Sequence, residues 1–145
     1  MKITLFTANQ SRHIYFIKRL SKICKELNVV QECRTIFPGT TADHYPKSNI
    51  MEKYFQQVKY AEKKLFDTHI ISGINNNINI LPLRQHDLSK CTVHFLSDFL
   101  DSDIYIVSGA SYIKGDLLNF LVAHNAINIH VGVSPYYRGT DCYSN

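Results

Sequence analysis

Apolar and polar positions run along this chain in two rhythms, and the switches between them mark its elements. Lys2-Ile-Thr-Leu-Phe6 reads as a short apolar strand. The polar turn Thr7-Ala-Asn-Gln-Ser-Arg-His13 follows, in which Asn9 or Ser11 is suited to cap a helix. Helical spacing then joins Ile14, Ile17, Leu20, Ile23, Cys24 and Leu27, with Lys18, Lys22, Lys25 and Glu26 toward water. Val29 to Phe37 predicts a second strand, stopped by Pro38-Gly39. After a polar loop from Thr40 to Asn49, the spacing of Ile50, Tyr54, Val58, Ala61 and Leu65 predicts a long amphipathic helix. Its charged and polar side, Glu52, Lys53, Gln57, Lys59, Glu62, Lys63 and Lys64, is expected in solvent. Its aromatics Tyr54, Phe55, Tyr60 and Phe66 are expected to pack.

Patterning is weak from Asp67 to Lys90. Asn75-Asn-Asn77 reads as a loop tip, and Ile78 to Leu83 as a strand whose Pro82 suits a sheet edge or strand end. His69, His86 and His94 share no motif and read as surface or packing residues, while Cys91 to Leu100 fits strand and helix equally. The signal then sharpens. Asp103 to Ser108 predicts a buried strand, Gly109-Ala-Ser-Tyr-Ile113 a loop at its carboxyl end, and Asp116 to Ala123 a short helix with Leu117, Leu118, Leu121 and Val122 inward. Ala126 to Val131 is a further apolar strand, interrupted by Asn128 and His130. Strands alternating with helices predict an α/β fold. The expectation is a Rossmann-like, mostly parallel sheet flanked by helices and incomplete at its C-terminal end, with ligands beyond the carboxyl ends of the strands. No repeat, low-complexity stretch or linker divides the chain, so residues 1–145 read as one domain.

Two positions carry the most suggestive chemistry. Side chains alternate along a strand, so Asn128 and His130 share one face while Ile127, Ile129 and Val131 share the other. By spacing alone the pair reads first as polar groups finishing a strand-to-loop turn. Chemically it also offers a carboxamide N–H for a developing oxyanion and an imidazole able to move a proton near neutral pH.

The stretch Asn128-Ile-His130, followed by a loop ending in Pro135-Tyr-Tyr-Arg-Gly139, resembles the active-site signature of folate-dependent formyltransferases. That family includes the glycinamide ribonucleotide, methionyl-tRNA and sugar N-formyltransferases. The resemblance spans roughly residues 100–140, where Asp103 to Ile113, a short helix and then Asn128-Ile-His130 follow the family's strand, folate-contacting loop, helix and catalytic strand. It implies transfer of a formyl group from 10-formyltetrahydrofolate to an amine of a small substrate, such as a nucleotide-linked amino sugar, with no metal. Asn128 is then the oxyanion donor and His130 the proton carrier. Gly109, Ala110, Ser111, Tyr112 and Ile113 contact the pterin, and Asn9, Arg12, His13, Arg138 and Gly139 lie toward the amine substrate. The family's His-Pro-Ser-Leu-Leu-Pro stands here as His130-Val-Gly-Val-Ser-Pro135. Its catalytic Asp lies a few tens of residues past the His, farther on than Asp141, and is expected to be missing from these 145 residues. The chain therefore reads as a truncated N-terminal domain, and the alternative is a catalytically incomplete folate- or nucleotide-binding domain.

Composition narrows this little further. A chain of 145 residues can bury about two thirds of its unfolded surface. Hydrophobic residues make up 45% and charged residues 19%, which excludes a disordered chain. The net charge of +4 is spread along helices, which argues against a dedicated nucleic-acid surface and suits a small anionic substrate. Cys24, Cys33, Cys91 and Cys142 are too scattered for a metal motif and read as free thiols. With no signal-peptide pattern and no apolar run of membrane-spanning length, a cytoplasmic protein with no membrane partner is expected. Oligomeric state is not written in the pattern.

Overall fold

A computed structural model describes residues 1–34, 49–66 and 76–130. Within them five strands form one parallel sheet: β1 (Lys2–Ala8), β2 (Glu26–Cys33), β3 (Ile78–Arg84), β4 (Ile104–Ser108) and β5 (Ile127–Asn128). Three helices accompany them: α1 (Ser11–Leu20), α2 (Asn49–Phe66) and α3 (Gly115–Ala123). The strand order is β3-β2-β1-β4-β5, so the chain works outward from β1 on one side, returns, and works outward on the other. That is the Rossmann-like arrangement expected of the alternating pattern. The reversal falls between β1 and β4, and in open parallel sheets ligands bind beyond the carboxyl ends of the strands at such a point.

The central strands β1 and β2 bury nearly every residue, the polar Thr4, Thr7, Asn28, Gln31 and Glu32 included, because both faces of the sheet are covered. On one face Ile3, Leu5, Leu27, Val29 and Ile106 pack against Ile14, Ile17 and Leu20 of α1. On the other Phe6, Val30 and Tyr105 pack against Leu117 and Leu121 of α3 and against Leu88, Leu96 and Leu100. β3 is an edge, as Pro82 predicts, and Pro82 stands beside Gln31 of β2 in register.

Several boundaries and faces differ from the pattern. Helix α1 stops at Leu20, and its N-cap is Gln10 without a side-chain cap bond, so neither Asn9 nor Ser11 fills that position. Leu27 is fully buried, but as a residue of β2 beside Ile3, while Ile23 in the intervening turn is 68% exposed. In α2 the expected apolar stripe is turned outward, with Ile50 80% and Leu65 70% exposed. The helix meets α1 instead through Glu62, which ion-pairs with Arg12, and Phe66, whose ring centroid lies 5.6 Å from that of Tyr15. The outer face of α1 offers a guanidinium and a phenol there, and a carboxylate and a ring answer them. Tyr54 and Tyr60 are more than half exposed, where burial was expected.

Cys91 to Leu100 is neither strand nor regular helix, but turns closing on a short 3₁₀ turn at Ser97–Phe99. In α3 only Leu117 and Leu121 face inward, and Leu118 and Val122 are exposed. The expected strand end at Phe37, most of the loop from Thr40, His69, Val131 and everything after it, including Arg138, Gly139 and Cys142, lie outside the described residues. No helix among those described is long and apolar enough to cross a membrane.

Candidate functional site

At the carboxyl edge of the sheet the ends of β1, β2, β4 and β5 bring most of the singled-out residues together. The β1–α1 turn is locked from within. Thr7 donates its hydroxyl to the Ser108 carbonyl at 2.7 Å, which leaves its oxygen to accept from Nδ1 of His13 at 3.1 Å. Nε2 of His13 is then an acceptor. The Gln10 amide supplies its N–H there at 3.1 Å, while its oxygen accepts from Nε and Nη2 of Arg34, both at 2.7 Å. His13 is 6% exposed. Burial first, then the Arg12 and Arg34 charges, lower its pKa to about 4, so this imidazole is neutral at pH 7.

The other first-turn candidates are also engaged. Asn9 donates to the Arg34 carbonyl at 2.9 Å and accepts from the Arg34 N–H at 3.2 Å, fastening the end of β1 to the end of β2. Arg12, with its side chain 41% exposed, leans away toward Glu62 on α2. Of the three residues expected near an amine substrate, His13 points inward, Asn9 clasps the backbone, and Arg12 sits at the junction of two helices.

The loop after β4 lies directly above this network. Gly109 has φ +72°, the left-handed region that glycine enters without cost. Its backbone presses so closely on the imidazole that an added Cβ would lie 2.1 Å from Cε1 of His13. Ala110 and Ile113 pack against the core on the α3 side. Tyr112 is 74% exposed, with the Lys114 ammonium 5.5 Å from its ring centroid. Ser111 turns inward toward Glu32: its N–H donates to Oε2 at 2.7 Å and its hydroxyl to Oε1 at 2.7 Å.

Glu32 is the residue that the sequence pattern passed over. It stands near the carboxyl end of β2, 2% exposed, and also accepts the Leu88 N–H at 3.2 Å. In dinucleotide-binding folds an acid at this strand end takes a ribose hydroxyl, but here the carboxylate is consumed by the loop. The signal was faint: an acid two residues past Val29-Val30, near the end of a strand buried on both faces, asks for buried donors.

β5 runs beside β4, with Val107 opposite Asn128 in register and the Ile129 N–H donating to the Val107 carbonyl at 2.8 Å. Asn128 is thus level with the strand whose next residues are Ser108 and Gly109. It shares its sheet face with Val107, Val30 and Glu32, the α3 side, while Ile127 belongs to the α1 side. Asn128 and His130 are both exposed at this edge. Among the described residues no group of three or more His, Cys, Asp or Glu side chains is arranged for a metal ion. No family model, curated protein or solved structure matches the chain.

Proposed function

We propose that this chain carries the folate-binding and catalytic edge of an enzyme that transfers a formyl group from 10-formyltetrahydrofolate to an amine of a small, anionic substrate. One observation carries the reading: β5 pairs with β4 so that the exposed Asn128 stands beside the strand that delivers the Gly109–Ile113 loop, at the sheet's carboxyl edge. A donor, a proton carrier and a loop able to read a heterocycle are what acyl transfer from a folate requires.

The loop suits a planar heterocycle. Among the described residues no hydrogen bond takes up the backbone groups of Ala110, Tyr112 or Ile113, leaving N–H donors and carbonyl acceptors for a ring edge. Tyr112 adds an exposed aromatic face. The folate supplies the activated formyl group and leaves with its nitrogen protonated, as the amine nitrogen bonds to the formyl carbon and gives up a proton. In this reading the Asn128 carboxamide donates to the formyl oxygen as it gains negative charge. His130 takes the proton from the attacking amine and returns it to the departing nitrogen. His13, by contrast, is a structural imidazole beneath Gly109.

The test is formyl transfer to amino-sugar nucleotides by the parent chain and by Asn128→Ala and His130→Ala, with product formation and thermal stability followed together. Loss of a preorganised oxyanion donor costs about a hundredfold or more in turnover, and both positions are exposed, so stability should scarcely change. Rates within a few-fold of the parent would remove both residues from the chemistry. Folate binding without transfer by the parent chain would move the conclusion to a binding domain.

A further inference from the structure

The Gly109–Ile113 loop is held from two sides, and the second hold has a cost that packing alone does not explain. Glu32 is a carboxylate at 2% exposure, and among the described residues no ion pair reaches it. Burying such a group is tolerated only when its oxygens are well supplied with donors. Three donors answer it, the Ser111 N–H, the Ser111 hydroxyl and the Leu88 N–H, and two of them come from one residue of the loop. A neutral or apolar residue would fill the space more cheaply. A carboxylate can use both of its oxygens as acceptors, and so holds the two Ser111 groups and the Leu88 N–H at once, which an amide with one acceptor oxygen does not.

We infer that Glu32 is a positioning residue for the ligand-reading loop, and that Ser111 is its inward anchor rather than a ligand contact. With Gly109 seated on His13 and Ser111 clamped by Glu32, the exposed Tyr112 and the backbone on either side of Ser111 are fixed between or beside two tethers. The Tyr112 ring and the backbone groups of Ala110, Tyr112 and Ile113 are then what the loop reads with, while the Ala110 and Ile113 side chains stay on the core. Specificity for the heterocycle is set partly from β2, through the Glu32 carboxylate. The inference rests on the folate reading of the loop, and its test separates the two.

The full chain is compared with Glu32→Gln, Ser111→Ala, the double variant, and Leu20→Ala as a control that weakens the core on the opposite face of the sheet. Amide hydrogen exchange across residues 109–113 is measured without ligand. Binding of 5-formyltetrahydrofolate, a stable folate probe, is measured separately. In Glu32→Gln one oxygen becomes an NH2 that faces donors, so loop exchange should accelerate and Kd should rise roughly tenfold. Ser111→Ala should shift both in the same direction by less. The double variant should be no worse than Glu32→Gln, because the two residues act through one contact. Leu20→Ala should lower stability and leave Kd unchanged. A folded Glu32→Gln with parental loop exchange and parental Kd would overturn the inference, and so would Ser111→Ala losing all binding while its loop stays protected. A parent chain that does not bind the probe would sink the folate reading and the ligand half of this inference. The exchange data, taken without ligand, would still show whether the clamp exists.

Discussion

Gly109 combines two constraints that mutation can separate. Its φ of +72° disfavours any side chain, and the His13 ring fills the space where a Cβ would go. Gly115 has the first constraint without the second, since φ is +64° and nothing lies within 4 Å. Gly115→Ala should therefore cost about 1 kcal/mol for the backbone alone. Gly109→Ala should cost about 2–4 kcal/mol, because ring and loop must also move apart. Urea midpoints of the two variants compare them directly, and equal losses would mean that the imidazole contact carries no energy. His13 itself sets a pH dependence. Its folded pKa of about 4 lies below the ordinary 6.5, so folding favours the neutral ring. The stability this contributes is fully present above about pH 6.5, is lost as pH falls through the interval to about 4, and levels off below that. The amount is about 3 kcal/mol at most. His13→Gln should flatten this part of the stability profile, measured by denaturant unfolding from pH 7.5 to 4; an unchanged slope would show that carboxylates alone produce it.

Elements were legible in the chain where burial is two-sided. β1, β4 and the Val29–Cys33 part of β2 were readable because their apolar residues serve both covered faces, and Pro82 pointed to an edge or a strand end because a missing N–H is tolerated there. What the pattern misjudged was partnership. Leu27 keeps helical spacing with Leu20, yet it belongs to β2; its burial was readable and its element was not. In α2 the aliphatic stripe faces outward because the outer side of α1 presents Arg12 and Tyr15, which take Glu62 and Phe66. A single helix cannot encode what its neighbour displays. The same logic divides α3. Leu117→Ala, at a fully buried site, should cost about 2–5 kcal/mol, whereas Leu118→Ala, at 42% exposure, should cost under about 1 kcal/mol. Thermal unfolding of the pair checks the facing, and equal losses would refute it. The site was half legible for a related reason. Asn128, His130 and Gly109–Ile113 stand out as polar or small residues at strand ends, while Glu32 shows only as an acid on a buried strand, its partners Leu88 and Ser111 lying far along the chain.

For the whole molecule, the parallel topology gathers the carboxyl ends of all five strands along one edge, and the chain's reversal between β1 and β4 falls in the middle of it. Ligand-induced NMR shifts from a folate or an amino-sugar nucleotide should therefore cluster at residues 8–13, 109–113 and 128–130. The Lys53–Tyr60 side of α2, which is basic but has none of the strand ends, should stay silent. Shifts centred on α2 would relocate the site.

Pro82 has a consequence beyond marking an edge. The outer side of β3 lacks one N–H, so a newcomer strand arriving there would find a gap in its ladder, a common way of discouraging unwanted strand addition. The opposite border, β5, carries no such interruption at Ile127 or Asn128. The sheet is thus a surface with a closed margin and an open one. Any strand that extends it, from this polypeptide or another, is steered to the side where Asn128 stands, so lengthening the sheet and walling in the site become the same event.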